Sequence, residues 1–354
     1  MPKYSRFIFI GILLVATILV HFLNYRDTST VNNQIVVTAM GINQQEGKVT
    51  LSVQAVDALK TSAGLSEQSE TATGLYESEA PSVSTALRQF LNESGRSTYI
   101  LHNKLIAIGE EATTNGSLYD MMDFFLRRLE CHALVDVVIC RGDPRSLLSI
   151  QSGNDAIEAE YVAQMLSEGA RLGMSIPCRL LDVQQTANGE YDVAIPILLV
   201  DNGTPRLDGT ALFRKGYKVG ELSVEETTAL LYAGNAIRSC MHEVDGVTLR
   251  VSSVSTTLSF KQEGCCSFNV RGKADVWESH RELTKQEKEE ILKQLECELA
   301  YRITALLERI TRDYRSDPLA LERQAACLKR EFSLEDARFL VSVDLRTKES
   351  GLMK

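Results

Sequence analysis

Eight cysteines, Cys131, Cys140, Cys178, Cys240, Cys265, Cys266, Cys297 and Cys327, are the side chains of this sequence most able to bind a metal or attack a substrate. A zinc or iron–sulfur knuckle needs thiolates a few residues apart, and no C-x-x-C pair occurs. Cys265 and Cys266 are neighbours, and neighbours in a strand point to opposite faces, so they are poorly placed to share one ion. The pattern reads as buried thiols acting as small apolar residues, with a disulfide left open if the body is exported. No G-x-S-x-G, H-E-x-x-H, P-loop or G-x-G-x-x-G motif is present. His102 opens the apolar run Lys104 to Gly109, where it is expected to be held by backbone hydrogen bonds rather than to act as a base. Glu110-Glu111 is expected to be a solvated loop or helix start, and Asp155, Glu158 and Glu160 a solvated face. Phe124-Phe125-Leu126-Arg127-Arg128 is the exception, because aromatic rings beside a guanidinium are the usual anchors of an interface. Phe124, Phe125 and Arg127 are therefore the candidate partner contact, with a surface salt bridge as the plainer role for the arginines. No catalytic, cofactor-binding or metal-ligating residue is assigned.

The elements that would carry these residues read as α+β, with mixed or antiparallel sheets and packed helices in more than one domain. The chain has 354 residues, 44% of them apolar, enough for two or three cores. Lys plus Arg number 38 against 47 Asp plus Glu, and no basic block is present to grip a nucleic-acid backbone. Aromatic residues are only 6%, too few for a stacking platform. Ile35 to Val37 and Lys48 to Val56 form a hairpin by their period of two. Lys60 to Ser82 is Ser-, Thr- and Glu-rich without an apolar period and reads as a long mobile loop. A helix from Ser84 to Leu91, a buried strand from Lys104 to Gly109, a helix from Leu118 to Leu129, a strand from Leu134 to Cys140 and a helix from Pro144 follow.

Asp201-Asn202-Gly203-Thr204-Pro205 is a cluster of turn formers and is the expected domain boundary, dividing a region 31–200 from a region 201–354. Beyond it come a hairpin from Gly209 to Gly220 and a capping box, Ser223 with Glu226, that opens a helix from Val224 to Tyr232. Strands are expected at Thr248 to Phe260, Ser267 to Val270 and Ala274 to Glu278, in a largely antiparallel sheet. A second capping box, Thr284 with Glu287, starts a long amphipathic helix over 285–314, and Phe339 to Leu345 closes the chain as a strand.

At the N-terminus, Lys3 and Arg6 precede the run Phe7 to Leu23, in which only Thr17 and His21 are polar. Seventeen residues at ~1.5 Å each give about 26 Å, close to a ~30 Å hydrocarbon core. The charges place residues 1–30 as a cytoplasmic tip and transmembrane helix, with the body facing outward. The run ends His21-Phe22-Leu23-Asn24-Tyr25, not in the small residues of a cleavage site, so an uncleaved anchor is expected.

Several stretches together resemble the Ger(x)C family, the C subunits of spore nutrient germinant receptors. They are Val37-Thr38-Ala39-Met40-Gly41-Ile42-Asn43, His102-Asn103-Lys104 with Ile108-Gly109-Glu110, Asp123-Phe124-Phe125-Leu126-Arg127, Gly209-Thr210-Ala211-Leu212-Phe213 and Gly220-Glu221-Leu222. Arg128 and Leu129 stand where the family usually has Asp and Pro. The resemblance implies a non-enzymatic subunit without cofactors. It would lie on the outer face of the spore inner membrane and act with a transporter-like integral-membrane subunit and a second membrane subunit. Family members are typically lipoproteins acylated on a Cys, but counting back from Gly41 places Tyr25 there, so no lipidation site is expected and the Phe7 to Leu23 helix must do the anchoring. Two rival functions fit the residues alone: an exported enzyme, either a cell-wall hydrolase or a thiol oxidoreductase, and a solute-binding protein for the germinant.

Overall fold

The computed structural model describes residues 11, 13–20, 34–57, 73–95, 97–127, 131–150, 157–187, 191–261 and 264–347. The larger of its two sheets has nine strands: β1 (Gln34–Gln45), β2 (Lys48–Asp57), β3 (Thr73–Ala80), β4 (Ser97–Tyr99), β5 (Leu105–Gly109), β6 (Asp136–Cys140), β7 (Val193–Asp201), β8 (Thr204–Arg214) and β9 (Tyr217–Leu222). Their order is β3-β2-β1-β5-β6-β7-β8-β9, with β4 also pairing with β1. The centre β1-β5-β6-β7 is parallel and both flanks are antiparallel.

Parallel strands must be covered on both faces, and β5 shows this directly, since all five of its residues are buried. Ile106 and Ile108 point into one core with α1 (Val83–Ser94), α3 (Leu118–Arg127) and α6 (Leu180–Ala187). Leu105 and Ala107 point into another, formed with α4 (Pro144–Leu148) and α5 (Glu158–Arg171). The short α2 (Glu110–Asn115) continues directly from β5. Buried Gln54 ties these layers together: Thr38 Oγ1 donates to its Oε1, and its Nε2 donates to Leu148 O and Glu158 Oε2, each at 2.9 Å. A satisfied buried amide costs little, whereas an orphaned one would cost about 1–3 kcal/mol.

The smaller sheet, β10 (Ser239–Val244), β11 (Val247–Phe260), β12 (Cys265–Ser279) and β13 (Arg338–Thr347), is paired in that order. One face is covered by α7 (Val224–Ala233) and by α8 (Lys285–Arg309), whose Ile291, Leu295, Leu299, Ile303 and Leu306 form a buried stripe. Both expected capping boxes are present, with Ser223 and Thr284 each exchanging bonds with the glutamate three residues on. Ala194, Leu212 and Leu222 of the large sheet belong to this same core, so the two sheets share packed surface.

The structure departs from the sequence expectations at several points. Thr73 to Ala80, read as part of a loop, is the edge strand β3; only Ser78 and Ala80 are buried, which left no apolar period to detect. Of the rest of that stretch, residues 60–72 lie outside the described residues, and Ser82 caps α1. Asn202 and Gly203, with φ of 49° and 77°, form the turn of the β7–β8 hairpin, and the large sheet runs on through Leu222. Two positive-φ residues are what a tight hairpin turn requires. The two strands expected on either side of Gly272 are one, β12, and β13 pairs with it in parallel across α8. The long helix is α-helical to Arg309 and ends in a π turn, Ile310–Tyr314, followed by α9 (Leu321–Cys327). Gly11 and residues 13–20 of the apolar N-terminal run are helical, and the rest of the Phe7 to Leu23 segment falls outside the described residues. Among the described residues, no helix is long and apolar enough to cross a membrane.

Candidate functional site

Because β1, β5 and β6 are parallel, their C-terminal ends lie side by side. Gly41 and Gly109 are required there: a Cβ on Gly41 would lie 2.8 Å from Pro144 Cβ, and one on Gly109 2.7 Å from Asn43 Oδ1. The residues that leave the strands, Glu110 after β5 and Arg141 after β6, meet Asp208 of β8 and Lys218 and Glu221 of β9. Arg141 is the hub. Its Nε donates to Asp208 Oδ2 at 2.7 Å, its Nη2 to Glu221 Oε2 at 2.7 Å and its Nη1 to Glu221 Oε1 at 3.1 Å, while Nη1 also reaches Glu110. Lys218 Nζ lies 3.4 Å from Glu110 Oε1 and pairs closely with Glu221.

The half-buried setting sharpens these charges. The hydrogen bond to Glu221 drives the Arg141 pKa further above its ordinary value, although burial opposes this. Burial pushes the Glu221 carboxyl up, but the bonds from Arg141 and Lys218 more than offset it, and the group stays below the ordinary carboxylate range. The cluster also reaches into the second core. Arg309 Nη2 donates to Glu221 O at 2.9 Å, the Tyr314 hydroxyl lies 3.3 Å from the same oxygen, and Arg309 also pairs with Glu226. Tyr314 lies so close to Gly220 that a Cβ there would fall 2.4 Å from its ring. Each acid already has a cationic partner, so the arrangement suits a joint between β9 and the end of α8 better than a proton-transfer pair.

The residues singled out from the sequence are distributed unevenly. Phe125 is 1% exposed and belongs to the core, which corrects its assignment as a contact residue. Phe124 is half-buried with its ring edge-on to Phe125 at 5.1 Å, and Arg127 is exposed, with Nε 2.6 Å from Asp123 Oδ1. Both border a surface cleft of about 390 Å³ with residues 81–84. Arg128, Asp155 and Tyr25 lie outside the described residues. His102 is exposed against the Tyr99 ring, and the buried polar side chain is its neighbour Asn103, whose Oδ1 accepts from Leu105 N at 3.3 Å. Glu110 does start a helix, but its carboxylate is engaged by Arg141 rather than solvated, and Glu158 accepts the bond from Gln54.

None of the eight cysteines is paired in a disulfide. Burial pushes Cys140 and Cys240 up to about 11 and Cys266 to about 12, far from a reactive thiolate. Among the described residues, no group of three or more His, Cys, Asp or Glu is placed to hold a metal ion. Sequence reasoning missed Arg141, Asp208 and Lys218. The available signal was positional: Arg141 directly follows an apolar strand, and in sheets of this kind functional residues gather beyond the carboxyl ends of parallel strands.

Two family models match the chain: the spore germination protein N-terminal domain over residues 27–200, and the spore germination B3/GerAC-like C-terminal model over residues 208–350. They divide at the β7–β8 hairpin, so family boundary and sheet boundary do not coincide. The crystal structure of the GerBC protein is similar at 16% identity and a TM-score of 0.54, covering 86% of this chain and 96% of that one, a likeness of fold. YeaZ from Pseudomonas aeruginosa matches at 13% identity and a TM-score of 0.18, over 50% of this chain and 69% of that one, too distant to bear on the fold. No curated protein matches the chain.

Proposed function

The chain belongs to the Ger(x)C family of spore germination proteins, the C subunits of germinant receptors, and from that premise we propose that it is a membrane-anchored, non-enzymatic subunit required for nutrient-triggered germination. In this reading residues 7–23 anchor it in the spore inner membrane, the body lies on the outer face, and it acts by assembling with the integral-membrane subunits of the receptor. The observation that carries the reading is the match of both halves of the chain, in order, to spore germination families. Supporting it, two of the stretches that resemble the family converge in space: Gly109 with Glu110, and Gly220 with Glu221, sit at or beside the Arg141 cluster. The non-enzymatic part rests on carboxylates committed to ion pairs and on buried thiols held far above neutral pH. Anchoring confines the body to the membrane surface, which raises its effective concentration for membrane partners, so that modest contacts suffice.

Deletion of the gene tests this function. Spores should lose or slow their response to particular nutrients and still germinate by receptor-independent triggers. A wild-type nutrient response in a strain with no second copy would overturn it.

A further inference from the structure

On the large sheet, away from the Arg141 cluster, a cleft of about 470 Å³ opens between α5, the segment leading into α6 and the turn after α7. It exists because α5 turns Ala163, Ser167 and Ala170 toward it, three small side chains on successive turns of one helix face. Leu134, Leu166, Ile176 and Leu231 give it apolar walls. Its charges are not self-compensated. Arg171 is bound to Glu168, at 2.8 Å from Nε and 2.7 Å from Nη2, but the guanidinium groups of Arg179 and Arg238 have neither a hydrogen bond nor an ion pair among the described residues. Asp136 faces Arg179 across an antiparallel bridge, framed by Val137 N to Cys178 O and Leu180 N to Val135 O, each at 2.9 Å. Residues opposite one another in such a bridge put their side chains on the same side, so Asp136 and Arg179 enter the cleft together. Leaving out the Arg171–Glu168 pair, two cations against one carboxylate give the cleft an excess of one positive charge.

We propose that this cleft is a binding site for a small organic carboxylate, whose charged end is taken by Arg179 and Arg238 and whose aliphatic or aromatic body lies on the leucine-lined walls. A guanidinium matches a carboxylate in planar, two-pronged geometry, and the volume suits a molecule of roughly amino-acid to drug-fragment size. Asp136 opposes such a ligand and so keeps the affinity modest; burial holds its own carboxyl up to about 6 despite Arg179. The inference stands on the cleft and does not depend on the germination reading.

The test uses the full chain in detergent micelles with 4-methylvalerate as probe and its uncharged amide as control, followed by ligand-observed saturation-transfer NMR and calorimetry. The acid should bind and the amide should bind about tenfold more weakly, as expected for the loss of one charged hydrogen-bonding group. Arg179→Gln and Arg238→Gln should each weaken the acid about tenfold; Arg238→Gln should do so without moving the thermal midpoint, whereas Arg179→Gln also removes the cation beside Asp136. Asp136→Asn should tighten it several-fold, a gain that a purely structural role for Asp136 does not produce. Ala170→Leu, which fills the cleft from the helix side, should abolish binding in a folded protein. Equal binding of acid and amide, affinity unmoved by both arginine variants, or no binding at 10-millimolar probe (roughly the weakest affinity worth calling a site) would overturn the proposal.

Discussion

Arg141 holds Glu221 with two parallel N–H···O bonds, 2.7 Å and 3.1 Å long, and spends its third donor on Asp208 at 2.7 Å. This fork joins the exit of the central parallel strand β6 to the edge strand β9, and through the Glu221 carbonyl to Arg309 at the end of α8. The hub is about one-third exposed, so its worth lies below that of a fully buried pair.

Arg141→Met should therefore destabilise the protein by about 2 kcal/mol, because Asp208 loses its cationic partner and Glu110 and Glu221 must share Lys218. In urea unfolding, adding Glu221→Gln to that variant should recover part of the loss, since the second substitution removes one uncompensated charge. Additive losses in the double variant would show that the two side chains do not act as a pair.

Gly220→Ala probes the same joint sterically. The new methyl would stand 2.4–2.6 Å from the Tyr314 ring, which must move and take its hydroxyl away from Arg309 and the Glu221 carbonyl. Overpacking of this kind costs about 1–3 kcal/mol. In a Tyr314→Ala background the same glycine substitution should be nearly neutral. Thermal melting of the four-variant cycle measures this, and an undiminished cost in that background would place the strain elsewhere.

These two joints show how far the sequence could be read. Local signals survived folding intact: both capping boxes and the apolar stripe Ile291, Leu295, Leu299, Ile303 appear where their spacing put them. The helix α5 was invisible because its buried positions include Ala159 and Gly169, which carry little apolar signal, and Gly169 is buried because Leu207 packs where a Cβ would be. The polar edge strand β3 exists through pairing with β2, a contact no period reveals. Arg141 was missed for the same reason: its three acids come from positions 110, 208 and 221, brought together only by the strand order. The candidate contact at Phe124 to Arg127 was legible as composition, but the face of α3 that each side chain occupies was not, which is why Phe125 proved to be core.

Acid should act on the second core through His242. Burial, reinforced by Arg302, lowers its pKa to about 4 from an ordinary 6.5, and its Nε2 is 2.8 Å from the Tyr232 hydroxyl. The unfolded chain takes up this proton first, so the contribution is whole above pH 6.5 and is lost as pH falls toward 4. Asp136 works in the opposite sense: its raised pKa of about 6 favours the folded state more as pH falls through 6 toward 3.8. His242→Gln should thus gain on wild type by up to about 3 kcal/mol as pH falls across its window, and Asp136→Asn should lose ground. Chemical denaturation at pH 7, 5.5 and 4.5 (roughly spanning the two titrations) would show the two curves diverging, and parallel curves would refute both assignments.

The N-terminal run makes a separate prediction about the mature protein. With Tyr25 where the family resemblance would place a lipoprotein's cysteine, and no small residues in His21-Phe22-Leu23-Asn24-Tyr25, residues 7–23 should remain attached. Intact-mass spectrometry of membrane-extracted protein should give the full chain. A start near Asn24 or Thr28, or a diacylglyceryl adduct, would contradict the anchor.

The contact surface proposed on α3 gives the last prediction; with Phe125 in the core, Phe124 and Arg127 are the candidates that remain. Arg127 is exposed and its bond to Asp123 is an i,i+4 surface pair, worth about 0.3–0.5 kcal/mol, so Arg127→Ala should leave folding and membrane accumulation intact. That makes it a clean probe, whereas truncating half-buried Phe124 would also disturb the core it packs against. If the cleft bordered by Phe124, Arg127 and residues 81–84 seats a receptor subunit, the arginine lies at its rim beside an aromatic anchor, the usual composition of an interface centre. Arg127→Ala should then lower co-purification of the membrane subunits several-fold and slow nutrient-triggered germination, while Arg206→Ala, an exposed arginine paired to Asp201 in the β7–β8 hairpin, should do neither. Both measurements are needed, because slower germination with full association would point to signalling rather than docking. Unchanged germination together with unchanged association would remove Arg127 from the contact surface and leave the family assignment standing without it.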